Sequence, residues 1–120
     1  MDPGAEIDRY LGGLDPPGRR LGPTEWGLTV PSVEGWPLDL GLRLDAGLLR
    51  VQAFAARAAH APDPWALLHW NRATTHVRFA TSLGRDVWVH AELPAAGVDE
   101  AALDALLGLV VEAAIAARRG

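Results

Sequence analysis

The side chains able to do chemistry in this chain are few and scattered. Histidines stand at His60, His69, His76 and His90. No two of them have the i, i+4 spacing that sets a pair of imidazoles on one helix face, and none has a carboxylate in a ligand pattern. Cysteine is absent, which removes thiolate metal sites and disulfides. Thr74-Thr75-His76 and Ser82 offer hydroxyls and an imidazole. No nucleophile elbow, carboxylate pair or glycine-rich phosphate loop accompanies them. Gly12-Gly13 and Gly18 do not follow a strand, so they make no phosphate cradle. The expectation is a protein with no catalytic residue, no metal and no cofactor.

The residues that remain suit recognition. Arg50, Gln52 and Phe54 alternate with Leu49, Val51, Ala53 and Ala55; Trp88 and His90 alternate with Val87 and Val89. Successive side chains on a strand point to opposite faces. If Leu49, Val51, Val77, Val87 and Val89 turn toward helices, the other face carries Arg50, Phe54, Arg78, Trp88 and His90. Tryptophan and arginine are enriched where binding energy concentrates. These five form the candidate partner-binding set.

Positioning them requires strands on either side of a turn. His76 to Pro94 reads as a hairpin: Val77, Phe79 and Thr81 alternate with Arg78 and Ala80, and Ser82 to Asp86 is the turn. Gly84 is its expected residue of positive φ. Pro94 stops the second strand, since proline cannot donate to a ladder. Asp99 then caps a helix running to Arg118, with Glu100 and Arg118-Arg119 at the ends where their charges suit the helix dipole. Leu103, Leu106, Leu107 and Val110 form its main apolar stripe. Leu109, Val111 and Ile115 lie off it, more than one sheet can cover.

Earlier elements follow from the same periods. Ala5 to Leu14 is amphipathic through Ile7, Tyr10, Leu11 and Leu14, and Asp15 to Arg20 is a loop rich in breakers. Thr24 to Val30 is a strand, Pro31 to Gly35 a turn, and Trp36 to Leu44 the cleanest alternation in the chain. Asp45-Ala46-Gly47 turns into a third strand, Leu48 to Ala56. Asp63 caps a helix with Pro64 at its first position, spanning about Trp65 to Thr74. Its Trp65, Leu67, Leu68 and Trp70 spread too widely for one stripe. Trp65, Leu67 and Trp70 are therefore the candidate contacts of a homodimer. The expected fold is α+β: an antiparallel five-stranded sheet with helices packed on it, in the order α-β-β-β-α-β-β-α.

The 120 residues fit one domain able to bury a core. All eleven basic residues are arginine, and the formal net charge is −4, the wrong sign for non-specific nucleic-acid binding. The first residues show no basic, apolar leader, and no run approaches the roughly 20 apolar residues a membrane span needs. A cytoplasmic protein that binds neither nucleic acid nor membrane is expected.

Several strings resemble the YbjN-type proteins, whose fold is that of the type III secretion chaperones. They are Leu67-Leu68-His69-Trp70-Asn71, similar to that family's L-x-x-x-N helix, then Arg78-Phe79-Ala80, then Val87 to Pro94, and Asp99 with Leu103 and Leu106. The likeness spans the chain from Trp26 onward. It implies a homodimer, no catalytic residues, and a surface that holds an extended segment of a partner protein. A regulatory or small-ligand sensor on the same fold is the other reading. An enclosed apolar pocket with a few polar groups would mark it.

Overall fold

The computed structural model describes residues 2–120. A helix α1 (Pro3–Gly12) is followed by four strands, β1 (Arg19–Gly22), β2 (Glu25–Val33), β3 (Trp36–Asp45) and β4 (Leu48–Ala56). Then come helix α2 (Pro64–Trp70), strands β5 (Val77–Thr81) and β6 (Val87–Pro94), and helix α3 (Glu100–Arg119). The strands form one antiparallel sheet in the order β1-β2-β3-β4-β6-β5.

The sheet thus has six strands, not the expected five. The addition is β1, in and beyond the segment read as a loop. Arg19-Arg20-Leu21-Gly22 carries no apolar alternation, so nothing local marks it as a strand. Pairing with Gly27, Trp26 and Glu25 makes it one. Asp8 on α1 fastens it: the carboxylate accepts from Arg20 Nε at 3.1 Å, Arg20 Nη2 at 2.9 Å and Trp26 Nε1 at 2.8 Å. The Arg20 guanidinium, and then the indole N–H, hold that carboxyl below its usual range. The same guanidinium lies 4.6 Å from the centre of the Trp26 ring.

Three boundaries also move. Strand β2 continues through Pro31 to Val33, and the turn is only Glu34-Gly35, both at positive φ. Pro31 is tolerated because the register shifts between Val30 and Val33, and β1 pairs no further along β2 than Gly27. Helix α2 ends at Trp70 rather than Thr74. In the β5–β6 turn the residue of positive φ is Arg85, at 70°, and not Gly84. Arg85 N–H donates to Ser82 O at 2.9 Å and closes that turn.

The core lies between the sheet and α3, with α1 beside α3. Leu38, Leu40, Leu42, Leu49, Val51, Ala53, Val87 and Val89 on the strands are buried. So are Leu103, Leu106, Leu107, Val110, Ala113, Ala114 and Ala117 on α3, and Ile7 and Leu11 on α1. Small residues on both surfaces, Ala53 and Ala55 against an alanine-lined helix, let α3 lie close on β4. Asp99 caps α3 as expected, accepting from Ala102 N–H at 2.8 Å. Tyr10 ties α1 to α3 by donating to Asp104 at 2.8 Å; burial first, then the Asp104 acceptor, push its phenol up to about 12. Among the described residues no helix is long and apolar enough to cross a membrane.

Candidate binding face of the sheet

Alternation along the strands leaves one sheet face uncovered by helices, and register decides who meets whom there. The turn at Ala46-Gly47, both at positive φ, aligns Arg43 with Arg50 across β3 and β4. Between β4 and β6 the partners are Arg50 with Glu92, Gln52 with His90, and Phe54 with Trp88. Between β5 and β6, Arg78 stands opposite His90 and Ala80 opposite Trp88. All five expected partner-binding residues therefore lie on neighbouring strands of one face.

They form three rows across the strands. One row is charged: Glu25, Arg43, Arg50 and Glu92, with Arg78 reaching Glu92 diagonally at 2.8 Å. The Arg78 guanidinium holds the Glu92 carboxyl below its usual range. The second row is low: Gly27, Gly41, Gln52 and His90. The third is aromatic. Phe54 and Trp88 meet edge to face at 5.3 Å; Trp36, at the start of β3 and stacked on Arg118 of α3, reaches Phe54 with ring centres 6.2 Å apart. Phe54, Trp88 and His90 are half-buried, while Arg43, Arg50, Gln52 and Arg78 are exposed. Partial burial, and after it the Arg78 charge, lower the His90 pKa, so its imidazole is neutral at neutral pH.

The low row is a trough of about 330 Å³ running past Gly41 and Gln52 to His90. Arg43, Glu25, Leu21 and Glu92 also line it. None of these four was singled out in the sequence. The signal for Arg43 was present, because a two-residue turn after Asp45 fixes its pairing with Arg50.

The expected dimer residues are divided by the structure. Trp65 is 77% exposed, whereas Leu67 is 3% exposed and packs in the chain's own core. Trp70 is half-buried against Phe79, with ring centres 5.8 Å apart. The apolar surface α2 presents is thus Trp65 and Leu68, the latter 59% exposed. Beside it a groove of about 350 Å³ lies between β5 and α3, lined by Trp70, Val77, Phe79 and Leu109 among others. Among the described residues no group of three histidine or carboxylate side chains could hold a metal. His60, His69 and His76 are exposed.

No protein-family model matches the sequence, and no curated protein matches it. Solved structures do. A chain of the ExsC–ExsE complex is 20% identical, with a TM-score of 0.72 over 99% of this chain and 96% of that one. A chain of the HopA1–SchA chaperone–effector complex is 11% identical, with a TM-score of 0.77 over 98% and 93%. The Yersinia pestis structure of the type III secretion chaperone SycH with a fragment of YscM2 gives 12% identity and a TM-score of 0.74 over 96% and 98%. The chain has the fold of the type III secretion chaperones.

Proposed function

We propose that this protein is a non-enzymatic, chaperone-like module that holds an extended segment of a partner protein. The observation that carries the reading is the Phe54–Trp88 pair on an open sheet face, 5.3 Å apart, with Arg50 and Arg78 on the same face. Half-buried aromatics offer contact area at little entropic cost, and arginine pairs with carboxylates or stacks. The solved structures of this fold include chaperones in complex with effector or partner chains, which supports the same reading. The troughs on this chain are open and partly charged, unlike the enclosed apolar pocket a small-ligand sensor would use.

The reading extends to assembly and context. Residues 1–120 act as one chaperone-like domain. Two copies associate as a homodimer through the side of the molecule bearing Trp65, Leu68 and Trp70. The motif residues Leu67 to Asn71 and Val87 to Pro94 support membership of the YbjN-type branch, and the cytoplasm is the compartment this implies.

Capture of partner proteins on immobilised wild-type chain, followed by calorimetry, tests the function. Trp88→Ala combined with Arg78→Ala should weaken the isolated partner about 30-fold, the effect of a hot spot worth roughly 2 kcal/mol. Unchanged affinity in a folded double variant would assign this face to mere surface.

A further inference from the structure

Arg43 and Arg50 are directly opposed across β3 and β4, both exposed, and neither makes an ion pair or hydrogen bond among the described residues. Like charges facing each other across an antiparallel pair are destabilising. Glu92 opposite Arg50 and Glu25 opposite Arg43 ease that repulsion only through space, without an ion pair to either arginine. Glu92 is already bonded to Arg78. Beside the pair, the sheet is bare. A Cβ on Gly41 would meet nothing nearer than Gln52 Cγ at 4.0 Å. At Gly27 the gap is filled by Leu21, whose Cδ1 lies 2.9 Å from where a Cβ would sit, so the trough has an apolar end wall. Two guanidinium groups without a hydrogen-bonded partner therefore border an open polar trough of about 330 Å³, with Glu25 and Glu92 at its sides.

We propose that this trough receives the carboxylate of a glutamate or aspartate in the bound segment, held between Arg43 and Arg50. The inference rests on the protein-binding reading of this face and names the chemistry of its ligand. Guanidinium groups bind carboxylates through paired, charge-assisted N–H···O bonds, and a second guanidinium supplies donors for the remaining lone pairs. Arg50 and Phe54 are four residues apart on β4, about 13 Å at 3.3 Å per residue. An extended ligand spans the same distance in four residues and returns to the same face. The segment thus carries an acidic residue four positions from an apolar one, the first between the arginines and the second on Phe54 and Trp88.

The test uses 15N-labelled protein and the blocked heptapeptide Thr-Glu-Thr-Ser-Thr-Leu-Thr, with a second peptide bearing Gln in place of Glu. The glutamate peptide should shift the arginine Nε–H resonances of Arg43 and Arg50 and bind about tenfold tighter than the glutamine peptide at low salt. High salt should erase the difference. So should Arg43→Gln with Arg50→Gln, a double variant that breaks no ion pair among the described residues and whose folding circular dichroism checks. Equal binding of both peptides at Phe54 and Trp88 would overturn the carboxylate site and leave the protein-binding reading standing. No shift anywhere on this face with either peptide would overturn both. Succinate shifting Arg43 and Arg50 as strongly as the glutamate peptide would overturn the assignment to a polypeptide, in favour of a free carboxylate.

Discussion

The side-chain amide of Asn71 pairs with both backbone groups of Phe79: Oδ1 accepts from Phe79 N–H at 2.7 Å and Nδ2 donates to Phe79 O at 3.1 Å. Asn71 sits just past the end of α2, and β5 is an edge strand bonded only to β6. At Phe79 the outward-facing N–H and C=O would otherwise be open to another strand. One side chain thus stands in for a neighbouring strand and blocks the edge at its midpoint. It also joins α2 to the sheet, next to the Trp70–Phe79 contact.

Asn71→Ala should therefore cost about 1–3 kcal/mol, because two part-buried backbone groups lose their partner. Urea denaturation gives the size. Amide exchange gives the place: Phe79 N–H should lose protection while the interior strand β4 keeps its own. Retained protection at Phe79 would mean another group closes the edge.

Arg118 fastens the C-terminal end of α3 to the sheet. Its guanidinium donates to the carbonyls of Val33, Trp36, Pro37 and Ala55 at 2.7 to 2.9 Å and to Phe54 O at 3.3 Å, and lies 3.4 Å from the centre of the Trp36 ring. Burial lowers its pKa, opposed by the Asp39 charge. Arg118→Ala removes a charged donor from each of those carbonyls and the cation–π contact, and should cost about 2–4 kcal/mol. Arg118→Lys should recover only part, since an ammonium cannot reproduce the planar fork. Thermal denaturation of both variants measures this; equal stability of the two would show that charge alone matters there.

Trp65 and Leu68 test the assembly. Trp65→Glu with Leu68→Glu should turn a dimer into a monomer by light scattering at micromolar concentration. Both side chains are exposed, so the fold should persist by circular dichroism. A wild-type protein already monomeric under those conditions would remove the dimer from the proposed function.

His90 should make stability depend on pH in a defined direction. Its folded-state pKa is lowered, by burial first and by Arg78 second, so the unfolded chain takes up its proton more readily. The stability held above the unfolded value near 6.5 is lost as pH falls through the depressed folded pKa. His90→Gln should flatten the fall in urea midpoint between about pH 7 and pH 5. Glu92 and Asp8, also lowered, give a fall of the same sign only at more acid pH, below their own unfolded values. An unchanged slope in His90→Gln would show that the imidazole stays as solvated as in the unfolded chain.

Much of this molecule was determined by its sequence. Alternation along Trp36 to Leu44 and Leu48 to Ala56, and the caps Asp63 and Asp99, are local properties of the chain. Each needs only a residue's near neighbours, so period and capping chemistry sufficed. The grouping of Arg50, Phe54, Arg78, Trp88 and His90 on one face was legible for the same reason, since parity along a strand fixes the face. What tertiary structure alone decided depends on pairing between distant segments. Strand β1 exists because β2 and Asp8 hold it, not because Arg19 to Gly22 prefers to be extended. Leu67 became core and Trp65 surface once α2 settled beside β5, as the apolar spread of so short a helix suits either orientation. The roles of Asn71 and Arg118 lie in hydrogen bonds to backbone groups 8 and up to 85 residues away. A backbone carbonyl carries no mark of its residue type, so no sequence pattern announces which side chain will reach it.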